Sequence, residues 1–145
     1  MRKLKMVDKY HSLNIIEKEN VIKQLRAGLG QMTNIEFAFL HGSFTGEGPF
    51  GDIDLAIYFD PKLSSDERLE EVIASSSMLS HLVNISVDVH ELNSAPLSFC
   101  YHASQGQIIF CRKREEVYDY QEDIWLKYAD FHPFLKQNLF DLLEI

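Results

Sequence analysis

Three features of the chain predict a mixed α/β (α+β) fold. Residues 13–29 carry an amphipathic helical stripe, residues 52–59 alternate as a strand does, and residues 84–91 alternate again after an intervening helical stretch. In the first helix Ile15, Ile22, Leu25 and Leu29 fall on one side, with Gly28 and Gly30 near its end. A strand follows at about 35–41, then the glycine-rich run HGSFTGEGPFG. In DIDLAIYF, Ile53, Leu55, Ile57 and Phe59 point one way, and Asp52, Asp54, Ala56 and Tyr58 the other.

Pro61 stops that strand. Ser64 and Glu67 have the spacing of a capping box and open a helix expected to turn Leu69, Val72, Ile73 and Leu79 inward. In the third strand Ile85, Val87 and Val89 share one face while Ser86, Asp88 and His90 share the other. Pro96 suits the first turn of a short helix closed by Gly106, and QIIFC at 107–111 reads as a fourth strand. The C-terminal tail, about 115–145, is expected to be helical. Val117, Tyr120, Ile124, Trp125, Tyr128 and Phe131 keep helical spacing, Pro133 interrupts, and Leu135, Leu139, Leu142 and Leu143 resume it.

With 145 residues the chain has the length of one domain, taken as 1–145, and 46% hydrophobic and 25% charged residues are ordinary for a globular protein. No run is apolar enough for a signal peptide or a bilayer span, so a cytoplasmic location without membrane contact is expected. Cys100 and Cys111 are expected to be reduced and buried. A net charge of −8 argues against direct nucleic-acid binding, which needs a basic surface. Eight acids and two lysines between Glu115 and Ile145 place −6 of that charge on the tail.

Asp52 and Asp54, two apart on a strand, project side by side, a geometry suited to hard cations. Asp88, on the polar face of the next strand, joins them if the two strands are neighbours. Three converging carboxylates repel unless divalent cations neutralise them, and a pair of Mg²⁺ ions can then align an attacking and a leaving oxygen. Gly42 and Ser43 stand where the first strand ends, a position where glycine allows close backbone approach to a phosphate and following N–H groups can form an anion nest.

The run HGSFTGEGPFGDIDLAIYFD resembles the signature of the DNA polymerase β-like nucleotidyltransferase superfamily, a Gly-Ser followed by D-x-D. Together with VDVHEL, APLSFCYHASQGQIIFCRK and the acidic tail, it resembles the minimal nucleotidyltransferase (MNT) group, especially the antitoxins paired with HEPN ribonuclease toxins. The resemblance covers most of residues 20–145. It implies a nucleotidyltransferase-like mixed sheet flanked by helices, Gly42 and Ser43 at the nucleotide phosphates, and Asp52, Asp54 and Asp88 as metal ligands, with Asp88 also a base for the acceptor hydroxyl. It further implies transfer of AMP from ATP or another NTP to a tyrosine of a HEPN-type toxin. Three departures bear on phosphate binding. Eight residues separate Ser43 from Asp52, and Phe44-Thr45 stand where many relatives carry an arginine; Gly51 also replaces a serine or threonine.

Two other readings compete. One changes the acceptor to a small cationic molecule, as in aminoglycoside nucleotidyltransferases, which need more binding surface than one short chain supplies unless it forms a homo-oligomer. The other is a hetero-oligomeric antitoxin that acts by contact alone. The six histidines lack zinc-ligand spacing, and His41 and His90, which border the proposed site, are expected to make local hydrogen bonds. The aromatic tail around Trp125 is read as core packing or as a docking face.

Overall fold

The computed structural model of the protein describes residues 10–132 and 137–138. Helix α1 spans Ile15–Gly30, strand β1 Ile35–His41, β2 Ile53–Phe59, helix α2 Ser65–Val83, β3 Val87–Glu91, α3 Leu97–Ala103, β4 Gln107–Cys111 and α4 Arg114–Phe131. The sheet runs β3-β2-β1-β4; β1 is antiparallel to both β2 and β4, and β2 is parallel to β3. Every helix and strand expected from the sequence within these residues is present, and the mixed α/β class holds.

Both faces of the sheet are covered. On one side α1 and α2 pack over Ile53, Leu55, Ile57 and Phe59, all fully buried, each contributing about 1.5–3 kcal/mol by leaving water. On the other, α3 and α4 cover Phe37, Phe39 and Ala56, with Tyr58 stacked on Phe37 at 4.9 Å. Ala56, on the opposite side of the strand from Ile53, Leu55, Ile57 and Phe59, is therefore buried as well.

Helix α2 differs from its expected packing. Its capping box forms, with the Ser64 N–H donating to Glu67 Oε1 at 2.8 Å and the Glu67 N–H to Ser64 Oγ at 3.2 Å. Leu79 is buried and Val72 half-buried, but Leu69 and Ile73 lie on the surface. The inward side combines Val72, Leu79 and Val83 with serines. Ser76 Oγ donates to the Val87 carbonyl at 2.5 Å, and the Val87 N–H donates to Ser80 Oγ at 2.8 Å. These bonds satisfy the backbone N–H and C=O of Val87, at the start of edge strand β3.

Smaller differences follow from the same packing. Ile15 is exposed at the start of α1, β2 begins at Ile53 rather than Asp52, and β3 at Val87 rather than 84. Both cysteines are free, Cys100 buried and Cys111 only partly so. Trp125 is 42% exposed and its indole N–H donates to Ser104 Oγ at 3.0 Å, so it lies at the margin of the core. Pro133, Leu135, Leu139, Leu142 and Leu143 lie outside the described residues.

Candidate active site

The sheet fold brings one end of three strands together. Because β1 is antiparallel to β2, the end of β1 lies beside the start of β2, and His41 pairs with Asp54. Because β3 is parallel to β2 and in step with it, Asp88 pairs directly with Asp54. The expected neighbourhood of these strands is thus present, and the two carboxylates leave the same face of the sheet.

His90 completes the cluster. Asp54, Asp88 and His90 each offer one donor atom, and these atoms all lie within 4.8 Å of one another. His90 Nε2 is 3.0 Å from Asp88 Oδ2, the local hydrogen bond expected of it. Its ring lies 5.3 Å from Phe99 of α3 and 6.2 Å from His41. Asp52 is exposed in the bend before β2 and stands outside this close trio. Its charge still reaches Asp54.

The electrostatics are those of an overcharged site. Burial raises the Asp54 carboxyl above the ordinary carboxylate range, the charge of Asp88 pushes it further, and Asp52 adds a smaller push, while His90 opposes them. His41 is shifted the other way, chiefly by burial and then by His90, and its Nε2 is buried without a hydrogen-bond partner among the described residues. Two carboxylates and an imidazole on one sheet face fit a divalent cation. Such ions take oxygen donors at about 2.1 Å, and a bound cation would relieve the repulsion that raises Asp54.

Gly42 is exposed but sits directly against the Asp54 side chain. Its φ of 81° is in the left-handed region, and a Cβ placed there would fall 2.2 Å from Asp54 Oδ2. Only glycine lets the chain pass this carboxylate. Ser43, exposed, then begins a single 3-10 turn, Ser43–Thr45, with Thr45 Oγ1 donating to the Gly42 carbonyl at 2.8 Å.

The glycine loop is anchored at two aromatic residues, with residues 45–49 exposed between them. Phe44 and Phe50 are buried and meet edge-to-face at 4.7 Å, and the His11 and Phe50 backbones exchange two hydrogen bonds. Lys18 of α1 donates to the carbonyls of Phe44, at 3.1 Å, and Gly46, at 2.8 Å. The sequence reading missed this lysine, which has no motif and is placed only by tertiary contact. It passed over His90 as a donor although the residue shares the polar face of β3 with Asp88.

Solved structures similar to this chain include toxin–antitoxin complexes. One holds a tri-AMPylated Shewanella oneidensis HEPN toxin with its MNT antitoxin; the match has a TM-score of 0.56 and 18% identity, covering 88% of this chain and 97% of that one. A second, a toxin–antitoxin with AMP-PNP, gives 0.59 and 18%, covering 87% and 98%. A third, the MntA–HepT toxin–antitoxin, gives 0.56 and 17%, covering 90% and 99%. At these identities the likeness is one of fold. No curated protein matches the chain. No helix among the described residues is long and apolar enough to cross a membrane. The family described as "Polymerase beta, Nucleotidyltransferase" matches residues 13–115, more than half the chain, and the protein therefore belongs to the polymerase beta nucleotidyltransferase family.

Proposed function

We propose that this protein transfers AMP from ATP to a hydroxyl, a tyrosine of a cognate HEPN-type toxin, and so acts as an antitoxin. The observation that carries the reading is the pairing of Asp54 with Asp88 on adjacent strands beside the Gly42-Ser43 turn, within a nucleotidyltransferase family domain. The resemblance of the fold to MNT antitoxins bound to HEPN toxins supports the choice of acceptor.

Asp52, Asp54 and Asp88 are the proposed metal ligands, with Gly42 and Ser43 at the nucleotide phosphates. A divalent cation such as Mg²⁺, one or a pair, would supply charge neutralisation along the triphosphate. The acceptor oxygen forms a bond to the α-phosphorus, the bond from that phosphorus to the bridging oxygen breaks, and pyrophosphate leaves. Asp88, the most open of the close trio, is the proposed acceptor of the hydroxyl proton. The exposed acids Glu115, Asp119, Glu122 and Asp130 of α4 support docking of a basic partner.

The deciding experiment is intact-mass measurement of the co-purified toxin after incubation with ATP and Mg²⁺. Addition of one or more AMP units, lost with Asp54→Asn, is the expected result. An unmodified toxin that is nonetheless inhibited would favour the binding-only reading. One observation favours that second reading: Phe44, where many relatives carry an arginine, is buried in the core and offers the phosphates no cation. Charge reversal with Glu122→Lys and Asp130→Lys should slow association in a salt-dependent way and leave the fold intact.

A further inference from the structure

The donor trio is two-thirds oxygen and one-third nitrogen. Carboxylates and water suit Mg²⁺, whereas imidazole suits later divalent ions of the first transition row, whose affinity for nitrogen rises from Mn²⁺ towards Cu²⁺. A polar residue on this face of β3 could have been serine or threonine without disturbing the strand. Here it is a histidine whose Nε2 already lies 3.0 Å from Asp88 Oδ2, with its ring beside Phe99. The third carboxylate, Asp52, lies outside that trio.

We infer that His90 is itself a ligand of the cation held by Asp54 and Asp88, and that it sets the metal preference of the site, favouring first-row transition ions over Mg²⁺, with Mn²⁺ the first of that row to gain from the nitrogen donor. The inference rests on the reading of Asp54 and Asp88 as metal ligands. Cis donors around an ion at about 2.1 Å lie about 3 Å apart, so His90 and Asp88 are already spaced to share one ion. Their mutual hydrogen bond keeps both donors on the same side until the ion replaces the bridging proton. The aromatic ring of Phe99 limits the positions open to the imidazole, which makes Nε2 a directed donor rather than one on a free arm.

Mn²⁺ provides a readout independent of turnover. The purified protein, with and without a non-hydrolysable ATP analogue, is titrated with Mn²⁺ and with Mg²⁺ by calorimetry. The bound Mn²⁺ is then examined by pulsed electron paramagnetic resonance for ¹⁴N coupling. Wild type should bind Mn²⁺ more tightly than Mg²⁺ and show imidazole nitrogen coupling. His90→Ala should abolish that coupling and lower Mn²⁺ affinity by on the order of tenfold, with Mg²⁺ affinity much less affected. His90→Gln, which can still hydrogen-bond to Asp88 but offers no imidazole, should behave like His90→Ala. His41→Ala should retain the coupling.

Bound Mn²⁺ without nitrogen coupling in wild type, or coupling that survives in His90→Ala, would overturn the assignment of His90 while leaving the carboxylates as ligands. So would full recovery of Mn²⁺ preference in His90→Gln. Failure of wild type to bind either ion, even with the nucleotide analogue, would sink the carboxylate reading together with this one.

Discussion

At the residue scale the site is defined by how little room surrounds Asp54. Gly42→Ala would place a methyl group where Asp54 Oδ2 lies and would demand a left-handed backbone from a residue that resists it. The carboxylate must then rotate away. The expected outcome is loss of divalent-cation binding by calorimetry together with a stability loss of about 1–2 kcal/mol, read from denaturant melts. Asp54 also carries a pH signature. Its proton is held more firmly in the folded chain than in the unfolded one, so the fold loses stability as pH rises from the ordinary carboxylate value through the raised one. Metal-free Asp54→Asn should therefore melt at a higher temperature than wild type near neutral pH, and the gap should close below about pH 4. Added Mg²⁺ should stabilise wild type and not the variant. A melting temperature that is equal across the whole pH range would show that the repulsion is not felt.

At the scale of elements, strand β2 was the easiest to read because its apolar residues fall on one face and two acids stand at its start. The cover of its other face was not legible, since the helices that bury Ala56 come from residues 97–131, far along the chain. Helix α2 was legible in its cap and position but not in its facing. A hydrophobic stripe is sought by periodicity, whereas α2 also presents Ser76 and Ser80 to the backbone of β3 and folds the buried Ser75 hydroxyl back onto its own Glu71 carbonyl. Nothing local distinguishes such serines from solvated ones. Trp125 was equally ambiguous, and the structure decides it. With 42% of its surface exposed and one hydrogen bond to Ser104, its replacement by alanine should cost about 1 kcal/mol. A fully buried tryptophan would cost about 3–5 kcal/mol. Urea melts of Trp125→Ala separate the two, and a loss in the larger range would mean that the indole is a core residue after all.

At the scale of the whole molecule, the order of elements and the Gly-Ser and D-x-D spacing were enough to bring out the family, because those features sit on consecutive strands. The register that sets Asp88 against Asp54 was not written locally; it depends on α2 returning the chain parallel to β2. That arrangement has a mechanical consequence. Asp54 rides on an interior strand held on both sides, while Asp88 and His90 ride on an edge strand whose far side faces a helix, with serine hydroxyls holding it at Val87, rather than a neighbouring strand. A cation gripped from both strands is a tie across that seam, and without it the seam is free to open locally before the sheet unfolds. Hydrogen–deuterium exchange should find the amides of Val87–Glu91 and the C-terminal half of α2 slowed by a bound divalent ion, while those of β1 are already slow and change little. Loading the metal would then do two things in one event, arming the chemistry and locking the hem of the sheet.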